Sequence, residues 1–347
     1  MILIGNKILI KVRTKMATYK DIAKVVGVSK TTVSHAINKT RYVAPATIKK
    51  IEKAIKDLNY KPNWVARSLV TGKTHTIGLV ISDIMNPDYS GLIKSIEMLA
   101  NEKDYNIFLC DTNFDIEIGI KSITAFISKQ VDGIIVVMSQ ANMLIIEELK
   151  DSGIPFVILD SDQKDVDYDF TYIDFKPGIF EAIDYLVSLD HKKIYFIMGP
   201  TALKTSRKRK KIFIDGIERY KNIDYKIFEG DHNLEGGIKA VNEIIDSKEI
   251  PSAIICSNDF SASGASRELI RSGYHIPEDI SIIGIDNCNL LCTLAIPSLT
   301  SVDIYRFNTG KWAFEMLMNR IKDKKRPVQK KIIKTKLILR DSVCRVK

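Results

Sequence analysis

Between Tyr19 and Ala36 the sequence sets out hydrogen-bonding side chains at the spacing that a base-reading helix needs. Ile22, Ala23, Val25 and Val26 give a short first helix, and Gly27 suits its end. Ser29 can cap a second helix, Lys30–Asn38, with Val33, Ala36 and Ile37 turned inward. A helix, a three-residue turn and a second helix can lay that second helix in the major groove, with its N-terminal side chains at base edges. Here those side chains are Lys30, Thr31 and, one turn on, His35. Lys30 can donate to guanine O6 and N7, Thr31 offers a hydroxyl or a methyl, and His35 can bond guanine or phosphate. Lys20, Tyr42, Lys49 and Asn63 are candidates for phosphate contacts that set the register. Spacing alone leaves an ordinary three-helix fragment open as the alternative.

The charge distribution bears on that choice. The chain has 347 residues and a formal net charge of +10. Residues 16–75 hold twelve Lys/Arg against three acids, and residues 1–15 add four cations and no acid. The rest of the chain is therefore slightly acidic. A small basic module on a near-neutral body points to a polyanion partner, a solvated charged surface being the blander reading. The five cysteines are odd in number and sparse, unlike a disulfide framework, so a reduced cytoplasm is expected. No apolar run reaches membrane-spanning length. There is no GxGxxG, Walker loop or zinc-ligand cluster, so no cofactor and no metal is expected. Residues 1–15 are apolar but broken by Lys7 and Lys11, and no cleavage site follows. They are expected to be a loose, disordered extension, with Met16 opening the first domain.

The elements that must carry these residues follow from pattern. Pro45 and Thr47 start a third helix, with Ile48, Ile51, Ala54, Ile55 and Leu58 at helical spacing, and Pro62 stops it. A short apolar-basic stretch, Asn63–Val70, precedes Gly72. From residue 76 to about 300 apolar runs alternate with amphipathic stretches. Strands are expected at Ile77–Ile81, Asn106–Cys110, Gly133–Val137, Phe156–Asp160, Lys193–Met198, Ala253–Ser257 and Ile280–Ile285, with helices such as Leu92–Lys103, Ile179–Ser188 and Gly236–Ile245 between them. That alternation predicts parallel sheets with right-handed crossovers.

With these elements laid out, the chain resembles the lac repressor (LacI/GalR) family of regulators. The likeness runs through TYKDIAKVVGVSKTTVSHAINKTRYV and LNYKPNWVARSL, and SHAINKTRYV is nearest to the purine and ribose repressors. It continues in order through THTIGLVI, NPDYSGLIKSIE, KQVDGIIVV, SNDFSASGA, SIIGIDN and IPSLTSV, covering residues 16–340. The resemblance implies a small all-α helix-turn-helix headpiece (16–62), a hinge helix (63–72), and an α/β periplasmic-binding-protein-like effector and dimerisation domain of two lobes (73–347). The N-lobe would span about 73–174 and 303–333, and the C-lobe about 175–302 and 334–347, with three crossings. It implies a homodimer on a palindromic operator in double-stranded DNA, with Ser29, Thr32 and Asn38 joining Lys20, Lys30, Thr31, His35 and Tyr42 at the duplex. Asn63, Ala66 and Leu69 would belong to a hinge that folds on the operator, Leu69 wedging into the minor groove. Lys30 replaces the Thr of the purine repressor, and His35 the Arg of many members, so the outer operator bases are open.

By the same resemblance the cleft between the lobes takes a small-molecule effector at the carboxyl ends of the strands. Asp88, Tyr89, Ser139, Thr205, Arg209, His232, Asp259 and Asp286 are expected to line it, with Arg209 and Asp286 on opposite sides of the ligand. The purine repressor has Arg where Leu203 stands and Phe where His232 stands, which argues against a purine. The basic run Arg207–Lys211 with Lys204 suits a sugar, a pentose or one carrying phosphate or carboxylate. An α/β enzyme using Asp286, His232 and Cys256 is the rival class, but nothing orders these as nucleophile and base. A transport-type sugar-binding protein is the other rival, but it would need a signal peptide and no basic headpiece.

Overall fold

The computed structural model describes residues 17–38, 40–60, 68, 72–137, 143–160 and 166–346. They fall into two compact units that divide between Thr74 and His75.

The N-terminal unit is built from α1 (Tyr19–Val26), α2 (Lys30–Asn38) and α3 (Pro45–Asp57). Asp21 closes the start of α1, its Oδ2 accepting from the Thr18 amide at 2.8 Å and the Thr18 hydroxyl at 2.7 Å. Gly27 ends α1 in the left-handed region, φ 76°. Ser29 caps α2 as its type predicts, its Oγ accepting from the Thr32 amide at 3.0 Å. Ile22, Val33, Ile51 and Ala54 are buried together between the three helices. Each of the three β-branched side chains contributes about 1.5–3 kcal/mol on burial, which a unit this small needs in full.

The C-terminal unit carries two six-stranded sheets. The first contains β1 (Thr76–Ile81), β2 (Asn106–Asp111), β3 (Gly133–Val137), β4 (Phe156–Leu159), β5 (Asp169–Asp174) and β11 (Lys330–Lys334), in the order β11-β5-β4-β3-β1-β2 and parallel throughout. The second contains β6 (Ile194–Met198), β7 (Ile227–Glu229), β8 (Ala253–Cys256), β9 (Ser281–Asp286), β10 (Thr300–Asp303) and β12 (Lys336–Ile338), in the order β12-β10-β9-β8-β6-β7. Only β12 runs antiparallel, against β10. The central strands are buried on both faces, which is why TIGLVI and GIIVV read as continuous apolar runs.

Helices cover both faces of each sheet. On the N-lobe, α4 (Tyr89–Glu102) and α12 (Arg306–Lys322) bury Leu92, Ile96, Phe314 and Leu317 against Ile77, Leu79 and Ile135. On its other face α5 (Ile116–Ser128) and α6 (Met143–Ser152) cover Val80, Ile134 and Val136. The C-lobe is covered by α7 (Lys176–Ser188) and α8 (Lys204–Ile217) on one side, and by α9 (Leu234–Asp246) and α10 (Asp259–Arg271) on the other. A short α11 (Asn289–Leu294) follows β9.

The chain passes between lobes after β5, between β10 and α12, and between β11 and β12. Only Thr335 separates the last two strands. Its hydroxyl donates to the Asp174 carbonyl at 2.9 Å and accepts from the Gly178 amide at 3.0 Å. The alternating pattern foretold seven strands, β1, β2, β3, β4, β6, β8 and β9, but not β5, β7, β10, β11 or β12. The sequences of β5, β10 and β11, DFTYID, TSVD and KKIIK, mix polar and apolar residues, and pairing rather than hydrophobicity makes them strands.

Candidate functional site

The cleft between the lobes lies at the carboxyl ends of the strands. Its N-lobe wall is made by Asp88 and Tyr89 at the start of α4, by Asp160 just beyond β4, and by Arg306 in the first turn of α12. Arg306 donates from Nε to Asp88 Oδ2 and from Nη1 to Asp160 Oδ2, each at 2.5 Å. Its guanidinium carbon lies 5.6 Å from the centre of the Tyr89 ring. Burial pushes the Asp88 carboxyl up from the ordinary carboxylate range, against the pull of Arg306. It pushes the Tyr89 hydroxyl up as well.

The C-lobe wall centres on Arg209, which is 7% exposed. Its Nη2 donates to Asp286 Oδ1 at 3.1 Å, and its Nη1 donates to the Ser257 carbonyl. The guanidinium carbon stacks 4.3 Å from the Phe175 ring centre. Asp286 ends β9 with φ 115°, a strained backbone for a residue with a Cβ, of the kind that concentrates at functional sites. Burial raises its carboxyl well above the usual range although Arg209 opposes this.

His232 is held between Ser206 Oγ at 2.9 Å and Ser257 Oγ at 3.2 Å. Burial, then the charge of Arg209, depress its imidazole to about 3, so it is neutral. The ring lies so close to Gly199 that a Cβ there would sit 2.0 Å from His232 Nε2. Thr205 lines the cleft beside Lys204 and Lys208. The Lys208 ammonium packs over Tyr172, 3.9 Å from its ring centre.

Three buried polar atoms in this cleft have no hydrogen-bond partner: Asp88 Oδ1, Asp160 Oδ1 and Arg209 Nε. Such groups cost about 1–3 kcal/mol each unless something completes them. Two acceptors on one wall and a donor on the other are what a polar ligand would fill.

Of the expected effector residues, Asp88, Tyr89, Thr205, Arg209, His232 and Asp286 line this cleft. Ser139 lies outside the described residues. Two expectations need correction. Arg209 and Asp286 do not stand on opposite sides of a ligand; they pair directly on one wall. Asp259 does not line the cleft. It is 1% exposed, with Oδ1 accepting from the Ser301 hydroxyl and Oδ2 from the Cys288 amide, both at 2.6 Å. Burial lifts its carboxyl to about 7. It ties the turn after β9 to α10, behind Asp286. Arg306, Asp160 and Phe175 were missed, and Lys208 was foreseen only as a member of the basic run Arg207–Lys211. Asp160 carried a signal, a carboxylate ending an apolar strand as Asp286 does. Arg306 carried none, because only the crossover from β10 brings it to the cleft.

In the headpiece, Lys20, Ser29, Lys30 and Thr31 are exposed, and Tyr42 is 88% exposed. Thr32 and His35 are partly buried: Thr32 Oγ1 lies 2.8 Å from Ser29 Oγ, and His35 Nδ1 lies 2.7 Å from Thr40 Oγ1. Asn38 is the last residue of α2. Asn63, Ala66 and Leu69, and the extension 1–15, lie outside the described residues. Among the described residues no helix is long and apolar enough to cross a membrane.

Comparison with known proteins bears on both units. Residues 18–63 match the family described as "Bacterial regulatory proteins, lacI family", and residues 183–343 match a "Periplasmic binding protein-like domain". The chain is 36% identical over 313 residues to the HTH-type transcriptional repressor PurR of Aliivibrio salmonicida, covering 89% of this chain and 93% of that protein. It superposes on the lac repressor dimer bound to operator and the anti-inducer ONPF with a TM-score of 0.85, at 24% identity, over 95% of this chain and 100% of that one. It also superposes on a LacI family transcriptional regulator from Enterococcus faecium with bound ribose, TM-score 0.71 and 27% identity, over 78% of this chain and 100% of that one. With a basic helix-turn-helix unit, a two-sheet unit cleft between its lobes, and this likeness over nearly its whole length, the chain belongs to the lacI family of bacterial regulatory proteins and is a DNA-binding regulator rather than an enzyme.

Proposed function

We propose that this chain, a ligand-responsive transcriptional repressor, binds a palindromic operator as a homodimer and takes a sugar as its effector. The observation that carries the effector reading is the cleft's supply of buried charged groups with unfilled valences. Asp88 Oδ1 and Asp160 Oδ1 accept, and Arg209 Nε donates. Sugar hydroxyls can do both. Phe175 and Tyr89 supply flat apolar faces beside them. The regulators from Enterococcus faecium and Enterococcus faecalis with bound ribose, 27% and 28% identical to this chain, support the same class.

The rival reading is a purine, favoured by the 36% identity to repressors named PurR. Leu203 and His232 speak against it. A neutral imidazole fixed by two serine hydroxyls replaces the aromatic face expected for stacking a base.

On the DNA side, one α2 from each subunit reads a half-site through Lys30, Thr31 and His35. Lys20, Tyr42 and Lys49 set the register on phosphates. Asn63, Ala66 and Leu69 act in the hinge, with Leu69 unstacking the central step at a cost of about a few kcal/mol, offset by contact with the bent duplex. Effector binding shifts the relative populations of lobe arrangements and so of the ordered hinge, and the coupling is reciprocal.

The test is to select binding sites from a random duplex library with purified protein, then titrate the recovered operator with and without neutral sugars, sugar phosphates and hypoxanthine. A palindromic site whose affinity changes with a sugar is expected. No duplex binding at modest salt overturns the regulator reading of the headpiece. A response to hypoxanthine alone overturns the sugar.

A further inference from the structure

We infer that Arg306 determines effector specificity, by occupying one oxygen of Asp88 and one of Asp160 and leaving the other oxygen of each as a buried acceptor, so that the N-lobe wall selects a neutral ligand with two hydroxyl donors and turns away an anionic group. The inference rests on the sugar reading and narrows it to uncharged sugars.

The contrast is within the same lobe. Asp169 is paired with Arg320 in a structural role, and both its oxygens are filled. Its Oδ1 accepts from Arg320 Nη2 and the Gln329 amide, each at 2.7 Å, and its Oδ2 from Arg320 Nε and Gln329 Nε2, each at 2.9 Å. A carboxylate whose job is to hold the fold is saturated in this way. Asp88 and Asp160 are bonded to Arg306 through Oδ2 alone, while Oδ1 of each is buried and unpartnered. The Asp88 side chain is 4% exposed and that of Asp160 13%, and both line the cleft. The two unpartnered oxygens therefore belong to side chains of the cleft wall.

The guanidinium is suited to this. Its donors are fixed in one plane, so a single side chain spans two carboxylates and orients both. A lysine ammonium is a compact charge with three rotatable donors, so it can meet two carboxylates but does not fix their orientation. A phosphate or carboxylate set against this wall would meet two acids that have already spent their common cation on each other. Like charge in a buried site is a strong rejecting element. Hydroxyls donate to both open oxygens without that cost.

The test is calorimetric titration of the full-length protein with a panel of neutral pentoses and hexoses, D-ribose 5-phosphate and hypoxanthine. It is run on the wild type, Arg306→Lys and Asp160→Asn, with circular dichroism and operator binding in the absence of sugar as controls for the fold. At least one neutral sugar is expected to bind ten-fold or more tightly than ribose 5-phosphate. Both variants should bind that sugar at least ten-fold more weakly while binding operator within two-fold of wild type. The isosteric Asp160→Asn keeps the result readable should Arg306→Lys lose the fold. Sugar affinity within two-fold of wild type in a folded variant, or tighter binding of the sugar phosphate, overturns the role of Arg306 and leaves the sugar reading standing. Heat from hypoxanthine with none from any sugar overturns the reading beneath it.

Discussion

His232 makes the stability of the effector unit depend on pH in a way that one substitution removes. Its imidazole, ordinarily near 6.5, is depressed to about 3 by burial and by the charge of Arg209. A histidine depressed in the folded state adds stability that is present above the unfolded value, near 6.5, and is lost as pH falls through it toward 3. Between pH 7 and pH 5 the unfolded chain takes up most of one proton that the folded chain refuses. At 1.36 kcal/mol per unit, and allowing for partial protonation near 6.5, that amounts to about 2 kcal/mol. His232→Gln keeps a donor and an acceptor for Ser206 and Ser257 but cannot titrate. Urea unfolding at the two pH values, followed by fluorescence and circular dichroism, measures the effect. Wild type should lose about 2 kcal/mol more than the variant on going from pH 7 to pH 5. His191, also depressed by burial, is common to both proteins and cancels. An equal loss in the two proteins, within about 0.5 kcal/mol, would refute the claim that the folded state keeps His232 neutral.

Arg209→Met should cost about 3–5 kcal/mol of stability, read from the urea midpoint, because it leaves Asp286 buried without its ion-pair partner. It should also abolish the effector's influence on operator binding. A Cβ at residue 284 would lie 2.0 Å from Asp259 Oδ1, so Gly284→Ala should destabilise by about 1–3 kcal/mol. In a double-mutant cycle with Asp259→Ala the loss in the double variant should fall short of the sum of the two single losses, and simple additivity would show that the two do not touch. Lys30→Ala should cost about 1–3 kcal/mol in operator affinity and relax the preference at one base pair, whereas Lys20→Ala should weaken binding to all sequences alike and shallow the salt slope by about one. Anisotropy titrations at several salt concentrations separate the two.

The headpiece was legible almost to the residue because its signals are local. Gly27 at a left-handed position, Ser29 at a helix start and Pro45 in a first turn each act within four residues of where they stand. Most of the legible strands are buried apolar runs, β1, β3, β6, β8 and β9 among them, whereas β5 and β10 are as deeply buried but carry polar residues that hid them. What sequence could not supply was adjacency. The resemblance placed Asp259 in the cleft through its SND stretch. Only the fold shows that Ser301 and the Cys288 amide claim its oxygens first. The resemblance placed Arg209 and Asp286 in the cleft, yet 77 residues apart their direct pairing is a product of the sheet order. Arg306 lies 218 residues from Asp88, and no periodicity joins them.

The three strands of chain that join the lobes are themselves laced together. Thr335 is the whole of one connection, and its hydroxyl grips the carbonyl that ends another. A single flexible link would let the halves gape by any angle. A three-ply link sewn side to side admits torsion about its own length and resists splaying. Rearrangement of the two lobes about a ligand is thus steered toward a small, directed twist rather than a gape on one side.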